Sequence, residues 1–272
     1  MEAQIQADPV LSGLTSTSTT AIWNLFCYIF ATSEATEEQL YDQFVTEVET
    51  LVANGAPATA NWIQSQAFNF QYSSSTPQIP QLSTTTFAPY WPVVNPSLRI
   101  ITNCSVTTNV LGGVNVLVAT GEPTPAPLTA PQLNAFQAFL NYVGTAGIVY
   151  NAVSLYPDLI STAATVYYNG SYSAVIQANL LAAYTSLLAS IPFSGVLKMS
   201  QIETALLNVT GVNDVVLNNV SARPASIAFG SGSNLIVGNQ ELSRLWTTIA
   251  GYIIDETTSG NTFTDLLTLV AQ

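Results

Sequence analysis

Histidine is absent from the sequence and lysine occurs once, at Lys198; with Arg99, Arg223 and Arg244 it makes four cations against sixteen acids. Without histidine the commonest general base and metal ligand is missing, and Ser-His or Cys-His activation is excluded. A formal net charge of −12 repels phosphate, so nucleic acid is set aside as a ligand, since affinity there begins with Lys and Arg neutralising the backbone. Cysteine is nearly as scarce. Cys27 falls in an apolar helical pattern and Cys104 in a strand pattern; both read as buried small hydrophobes, with no partner at metal spacing. The first thirteen residues are polar and acidic, without the basic start and apolar middle of a signal peptide.

Charge of either sign is scarce. Only 7% of residues are charged and 48% are hydrophobic, against roughly 25% charged in ordinary soluble proteins. A free monomer of this composition exposes large weakly polar areas, and such areas mark contact surfaces. The expectation is a subunit clothed by neighbours. No charge intervenes between Asp158 and Lys198, which raises lipid as the covering. Gln177, Asn179, Thr185, Ser186 and Ser190 interrupt that run, however, while Ile176, Leu180, Tyr184, Leu187, Leu188 and Ile191 keep to one stripe, the pattern of one buried face. No basic cluster flanks an apolar run to set an orientation. Membrane insertion is therefore not expected.

The remaining reactive groups give no catalytic, cofactor or metal site. Glu37 with Glu38, and Asp255 with Glu256, are neighbours in sequence and read as solvated acidic faces, because adjacent residues do not converge from a helix or strand. Lys198 reads as a loop residue rather than a Schiff-base lysine. "GSGS" at 230–233 lacks the context of a phosphate loop and reads as a connection. "DETTSGNTFTD" at 255–265 lacks acids at the third and twelfth positions that calcium would need. The Asn-x-Ser/Thr triplets at Asn103, Asn169, Asn208 and Asn219 read as chance.

The chain's organisation is more informative. Residues 19–53 read as helical, with Ile22, Phe26, Ile29 and Phe30 in a first stripe and Leu40, Phe44, Val48, Leu51 and Val52 in a second. "TSEAT" at 32–36 is a candidate kink or break, and Glu34, Glu37, Glu38, Asp42, Glu47 and Glu49 lie mostly opposite the apolar stripe. Thr59 caps a shorter helix anchored by Trp62 and Phe68. The uncharged Ser/Thr/Pro-rich stretch 72–97 cannot carry regular ladders and reads as a linker or an arm laid on a neighbour. After it the pattern turns α+β. Thr129 with Gln132, and Ser200 with Glu203, fit capping boxes; Leu133, Phe136, Leu140 and Val143 stripe one helix, and Ile202, Ala205, Leu206 and Val209 another that stops at Gly211.

The fold expected is therefore α+β: an N-terminal helical region, then a lobe of order β-α-β-β-α-α-β with helices packed on one face of a small mixed sheet, its other face left for a partner. The divisions are a helical assembly region at 1–71, the linker or arm at 72–97, the α+β lobe at 98–223 and a C-terminal wrapping segment at 224–272. Trp23, Phe44, Trp62, Tyr90 and Trp91 are the interface candidates, because large aromatic groups dominate contact energetics.

"FSGVLKMSQIETALLNVTGVNDVVL" at 193–217 resembles the carboxy-terminal half of the baseplate J-like wedge proteins of contractile phage tails. "AIWNLFCYIFA", "QFVTEVETLV" and "PATANWIQSQAFNFQYS" resemble the amino-terminal region of structural proteins of Bacteroidota phages and prophages. The resemblance implies a non-enzymatic structural subunit of a baseplate wedge in the virion tail, assembled in the host cytoplasm. As partners it implies a second copy of itself and other wedge proteins in a helical bundle, and a ring around the central hub near sheath-proximal tail proteins. Another virion connector, a carboxylate-dependent glycosidase with two convergent acids, and a membrane-associated subunit are the alternatives.

Overall fold

The computed structural model describes residue 18 and residues 21–55, 59–76, 78–84, 89–108 and 112–272. The polar N-terminal segment at 1–13 and residues 77 and 85–88 of the uncharged stretch lie outside the described residues, as do the side chains of Leu51 and Val52. The chain divides into two compact units, residues 1–57 and 58–272.

The first unit is built on helix α1, Ile22–Gly55, of 34 residues. It runs unbroken through "TSEAT", which corrects a break there. The Thr32 and Thr36 hydroxyls donate to the carbonyls of Tyr28 (2.8 Å) and Thr32 (2.7 Å), so the threonines bond back along the helix instead of ending it.

The second unit is mixed α+β, as expected, but it holds two separate larger sheets, and six strands between residues 98 and 224 where the order read from the sequence has four. Helix α2, Ala60–Asn69, starts at Thr59, whose hydroxyl accepts from the Trp62 N–H. The short strands β1, Gln81–Leu82, and β2, Pro89–Tyr90, pair antiparallel. Strands β3, Asn103–Thr108, and β4, Val114–Ala119, form an antiparallel pair. Helix α3, Ala130–Val143, then crosses over to β5, Tyr150–Val153, which lies parallel to β4. At the start of α3, Gln132 Oε1 accepts from both the N–H (2.8 Å) and the hydroxyl (2.9 Å) of Thr129. Trp62, Ile63, Phe70, Val116, Phe136 and Leu140 are buried together in this lobe's core.

The larger sheet begins with β6, Asp158–Tyr168, paired antiparallel with β8, Val212–Pro224. Beyond β8 come β9, Ser233–Val237, and β10, Gln240–Glu241. On the other side of β6, β12, Ile253–Asp255, and β13, Leu267–Ala271, pair parallel with it one after the other, separated by the one-turn helix α6, Phe263–Leu266. Helices α4, Ile176–Ser190, and α5, Met199–Leu207, cover one face. The small pair β7, Val196–Lys198, and β11, Leu245–Thr247, flanks them. Residues on one face of β6 (Ile160, Ala164, Val166) and of β8 (Val215, Leu217 and, past a register shift, Val220) meet Ile176, Leu180, Tyr184, Ile202 and Leu206 in one core. Tyr184 stacks on Phe263 at 4.2 Å between ring centroids and shares a 2.8 Å hydrogen bond with the Thr162 hydroxyl.

Two details of the αβ corner depart from the sequence reading. Helix α5 starts at Met199, not after Ser200, because the Gln201 side-chain oxygen Oε1 reaches back to accept from the Lys198 N–H at 2.9 Å; a lysine side chain accepts no hydrogen bond, so the cap is one-sided. The helix also ends at Leu207, four residues before Gly211, which instead turns the chain into β8 at φ +93°. A Cβ on Gly211 meets the Tyr172 ring at 2.6 Å, so Gly211→Ala is expected to cost about 2 kcal/mol through left-handed strain, read as a lowered midpoint of chemical denaturation.

Candidate functional site

The candidate contact residues fall into three environments. Phe44 projects from α1 with 60% of its surface exposed, alongside exposed Ile22, Phe26, Ile29, Phe30 and Leu40; these are the stripe that the periodicity marks. Trp23, also on α1, is half-buried, and its indole N–H is buried with no hydrogen-bond partner among the described residues. Trp62 is only 6% exposed and sits inside the core of its own lobe.

Tyr90 and Trp91 lie on the uncharged stretch after α2. Tyr90 is exposed and donates its hydroxyl to Gln81 Oε1 across the β1–β2 pair at 3.2 Å. Trp91 stacks on Phe139 of α3, with centroids 5.5 Å apart and planes at 19°, and meets Phe70 edge-on at 6.4 Å. Gln71 holds that stretch in place: its Nε2 donates to the Val93 carbonyl at 3.1 Å and its Oε1 accepts from the Asn95 N–H. A cavity of 520 Å³ opens there, lined by Phe70, Tyr72, Pro80, Trp91, Phe139 and Tyr142 among other residues, none of them charged.

The carboxylates with altered surroundings are each engaged in structure. Asp158, fully buried at the start of β6, accepts from the Trp246 indole N–H (2.9 Å), the Ile249 N–H (2.7 Å) and the Ala250 N–H (3.2 Å). Burial raises its pKa above the ordinary carboxylate value, and the donors partly offset this. Asp255 accepts from the Phe263 N–H at the start of α6 and is likewise pushed up by burial. Glu256 is 2% exposed. The Arg223 guanidinium grips it with two parallel bonds, Nε to Oε2 at 2.9 Å and Nη2 to Oε1 at 2.8 Å. Burial opposes its ionisation, but Arg223 and Thr258 together hold the carboxyl below its ordinary range. The solvated acidic face read from Asp255 and Glu256 is thus corrected. Burial also pushes the Cys104 thiol up to about 12, which leaves it un-ionised and inert at neutral pH.

A second cavity, of 730 Å³, is lined by Glu122 and Asp255 together with Pro123, Leu188, Phe193 and Tyr252. Of its two acids, Asp255 is already committed to the α6 amide. Among the described residues no group of three or more Cys, Asp or Glu could hold a metal ion, and no helix is long and apolar enough to cross a membrane.

Sequence reasoning missed the polar fasteners Asp158, Arg223 and Glu256. One signal was available. Arg223 ends the alternating run "VSARP" in a chain with four cations, and a cation inside a strand pattern calls for a buried partner.

Residues 160–231 match the family model of the Baseplate J-like protein C-terminal domain. That segment runs from β6 through α4 and α5 to the end of β8 and the turn beyond. The 193–217 stretch lies wholly within it, and the likeness to baseplate J-like proteins read there stands. A comparison with curated proteins finds no match to the chain.

Proposed function

We propose that this chain, whose residues 160–231 match the Baseplate J-like protein C-terminal domain, is a structural subunit of a phage tail baseplate. That match is the observation that carries the reading. In the finer form of the proposal the chain is a wedge protein of a contractile tail, closing a ring around the central hub within the virion after assembly in the host cytoplasm. Its partners are a second copy, other wedge proteins and hub or sheath-proximal tail proteins.

The physical support is the distribution of apolar surface. Helix α1 exposes Ile22, Phe26, Phe30, Leu40 and Phe44 along one side, a stripe that a stable helix in water buries against something. The stretch 72–97 holds Tyr90 exposed beside the uncharged aromatic cavity of Trp91 and Phe139, the kind of anchor on which contact energy concentrates. Phe44, Trp23, Tyr90 and Trp91 are the residues proposed to meet neighbours. Trp62 contributes through the core against which Trp91 packs.

The purified chain is expected to self-associate or to need a partner for solubility, so that its mass by sedimentation or light scattering exceeds the 28.9 kDa of one copy. A monodisperse monomer at tens of micromolar overturns the reading, because the exposed stripe would then be stable in water uncovered.

A further inference from the structure

The exposed stripe of α1 also specifies the charge of what covers it. Between Ile22 and Gly55 the helix has six acids, Glu34, Glu37, Glu38, Asp42, Glu47 and Glu49, and no Lys or Arg. Glu38, Asp42 and Glu49 fall on the side opposite the stripe. Glu37 falls within the arc that runs from Leu40 through Phe26 and Phe44 to Phe30, Glu47 at its border in line with Ile29, and Glu34 just outside the other border. Two copies of α1 packed through the stripe would therefore bring carboxylates of both copies to one seam with no cation to meet them, which is unfavourable in either orientation. The rest of the chain offers little relief. Of its four cations, Arg223 is committed to buried Glu256, Arg244 pairs with Glu241 at 3.1 Å, and Arg99 and Lys198 are the remaining two.

We infer that α1 is covered by a helix of a different protein, one that brings an apolar stripe flanked by Lys or Arg, rather than by α1 of a second copy. This rests on the assembly reading above and names the chemistry of one partner within it. The uncharged first part of α1, Ile22 to Ser33, supplies apolar area, and the acidic part from Glu34 to Glu49 supplies register and partner choice, as flanking charges do in paired helices.

The test uses the full chain and two peptides spanning residues 22–55: the native sequence, and one with each of the six acids replaced by lysine. Binding is followed by fluorescence anisotropy at about 50 mM and about 500 mM salt, concentrations that bracket strong and weak screening. The lysine peptide is expected to bind at least about tenfold more tightly than the native one at low salt, the gap narrowing at high salt. A Phe44→Asp variant of the full chain is expected to lose this binding. Equal or tighter binding of the native peptide overturns the inference in favour of a second copy. Retention by Phe44→Asp overturns it too, since the attraction is then non-specific charge. If neither peptide binds while the chain still exceeds the monomer mass, the inference fails and the assembly reading survives; if neither binds and the chain is a monomer, both fail.

Discussion

Replacing Arg223 by alanine is expected to remove about 3–5 kcal/mol from the stability of the second unit, the cost of leaving a buried carboxylate without its counter-charge. Glu256 is 2% exposed and ends immediately after β12, while Arg223 lies near the end of β8 on the far side of β6. The pair thus clamps three strands of one sheet. The Thr257 and Thr258 N–H groups and the Thr258 hydroxyl also donate to Glu256, at 3.0, 3.1 and 2.9 Å, so the arrangement is built for the ionised form. A carboxyl held below its ordinary pKa contributes stability above its unfolded value, near 4.5, and that contribution is lost as pH falls through the folded value. The contribution of the Arg223–Glu256 pair should therefore fade on acidification below about pH 4.5, and the gap between wild type and Arg223→Ala should narrow there. The double variant Arg223→Met, Glu256→Leu is expected to recover only part of the loss, because removing both charges removes the desolvation penalty with them while the Thr257 and Thr258 donors lose their acceptor. Urea denaturation of the three proteins at neutral and acid pH measures all of this. A loss below about 1 kcal/mol for Arg223→Ala would mean that water reaches the pair as it reaches surface ion pairs.

The same sheet shows what the sequence could and could not disclose. The helices α3 and α4 were readable because Phe136 and Leu140, and Ile176, Leu180, Tyr184 and Leu188, recur at helical spacing and are the residues that the structure buries. Strand β8 was readable from Val215 and Leu217 on one face, both buried. The division into two sheets was not. Strand β6 takes its edge partners β12 and β13 from about a hundred residues downstream, and a three-residue strand such as Ile253–Asp255 has too few positions to display a period. Nothing local in "YIIDE" distinguishes a strand laid parallel on β6 from a surface loop.

The polar fasteners escaped for a related reason. Glu256 looked solvated because its neighbour Asp255 is also acidic, yet successive residues of an extended chain point to opposite sides. One therefore reached the α6 amide and the other Arg223. The exposed stripe of α1, by contrast, was legible in full where its side chains are described, since an apolar repeat on a helix needs no distant residue to define it. Which of the aromatic candidates were interior depended on packing: Trp62 and Trp91 share the uncharged surroundings of Tyr90, and only the position of the Phe70, Phe136 and Phe139 rings buries Trp62 and leaves Trp91 half-buried against them.

Asp158→Ala is expected to cost about 3 kcal/mol, through three N–H donors left without their carboxylate, and to loosen the second unit in a specific place. The chain passes from the β3–β5 lobe into the larger sheet through Ser154–Pro157, directly before Asp158. The segment 246–252 lies against that passage. Asp158 holds it through Trp246, Ile249 and Ala250, and the Tyr252 hydroxyl donates to the Leu155 carbonyl at 3.0 Å. From the other lobe, Ala119 of β4 joins Ala250 and Tyr252 in a small buried cluster, against which Phe193 packs, its ring stacked at 6.3 Å on Tyr252. One carboxylate therefore fixes the segment that ties the two sheets together. Asp158→Asn should cost about half as much, because its amide oxygen still serves two donors while its NH₂ faces a third. Hydrogen exchange separates this local effect from a general loss of stability: protection of the Ile249, Ala250 and Asp158 amides is expected to fall in both variants before that of the β6–β8 ladder. Uniform loss across the ladder would instead make Asp158 an ordinary core residue, and the two sheets would be held by their apolar contact alone.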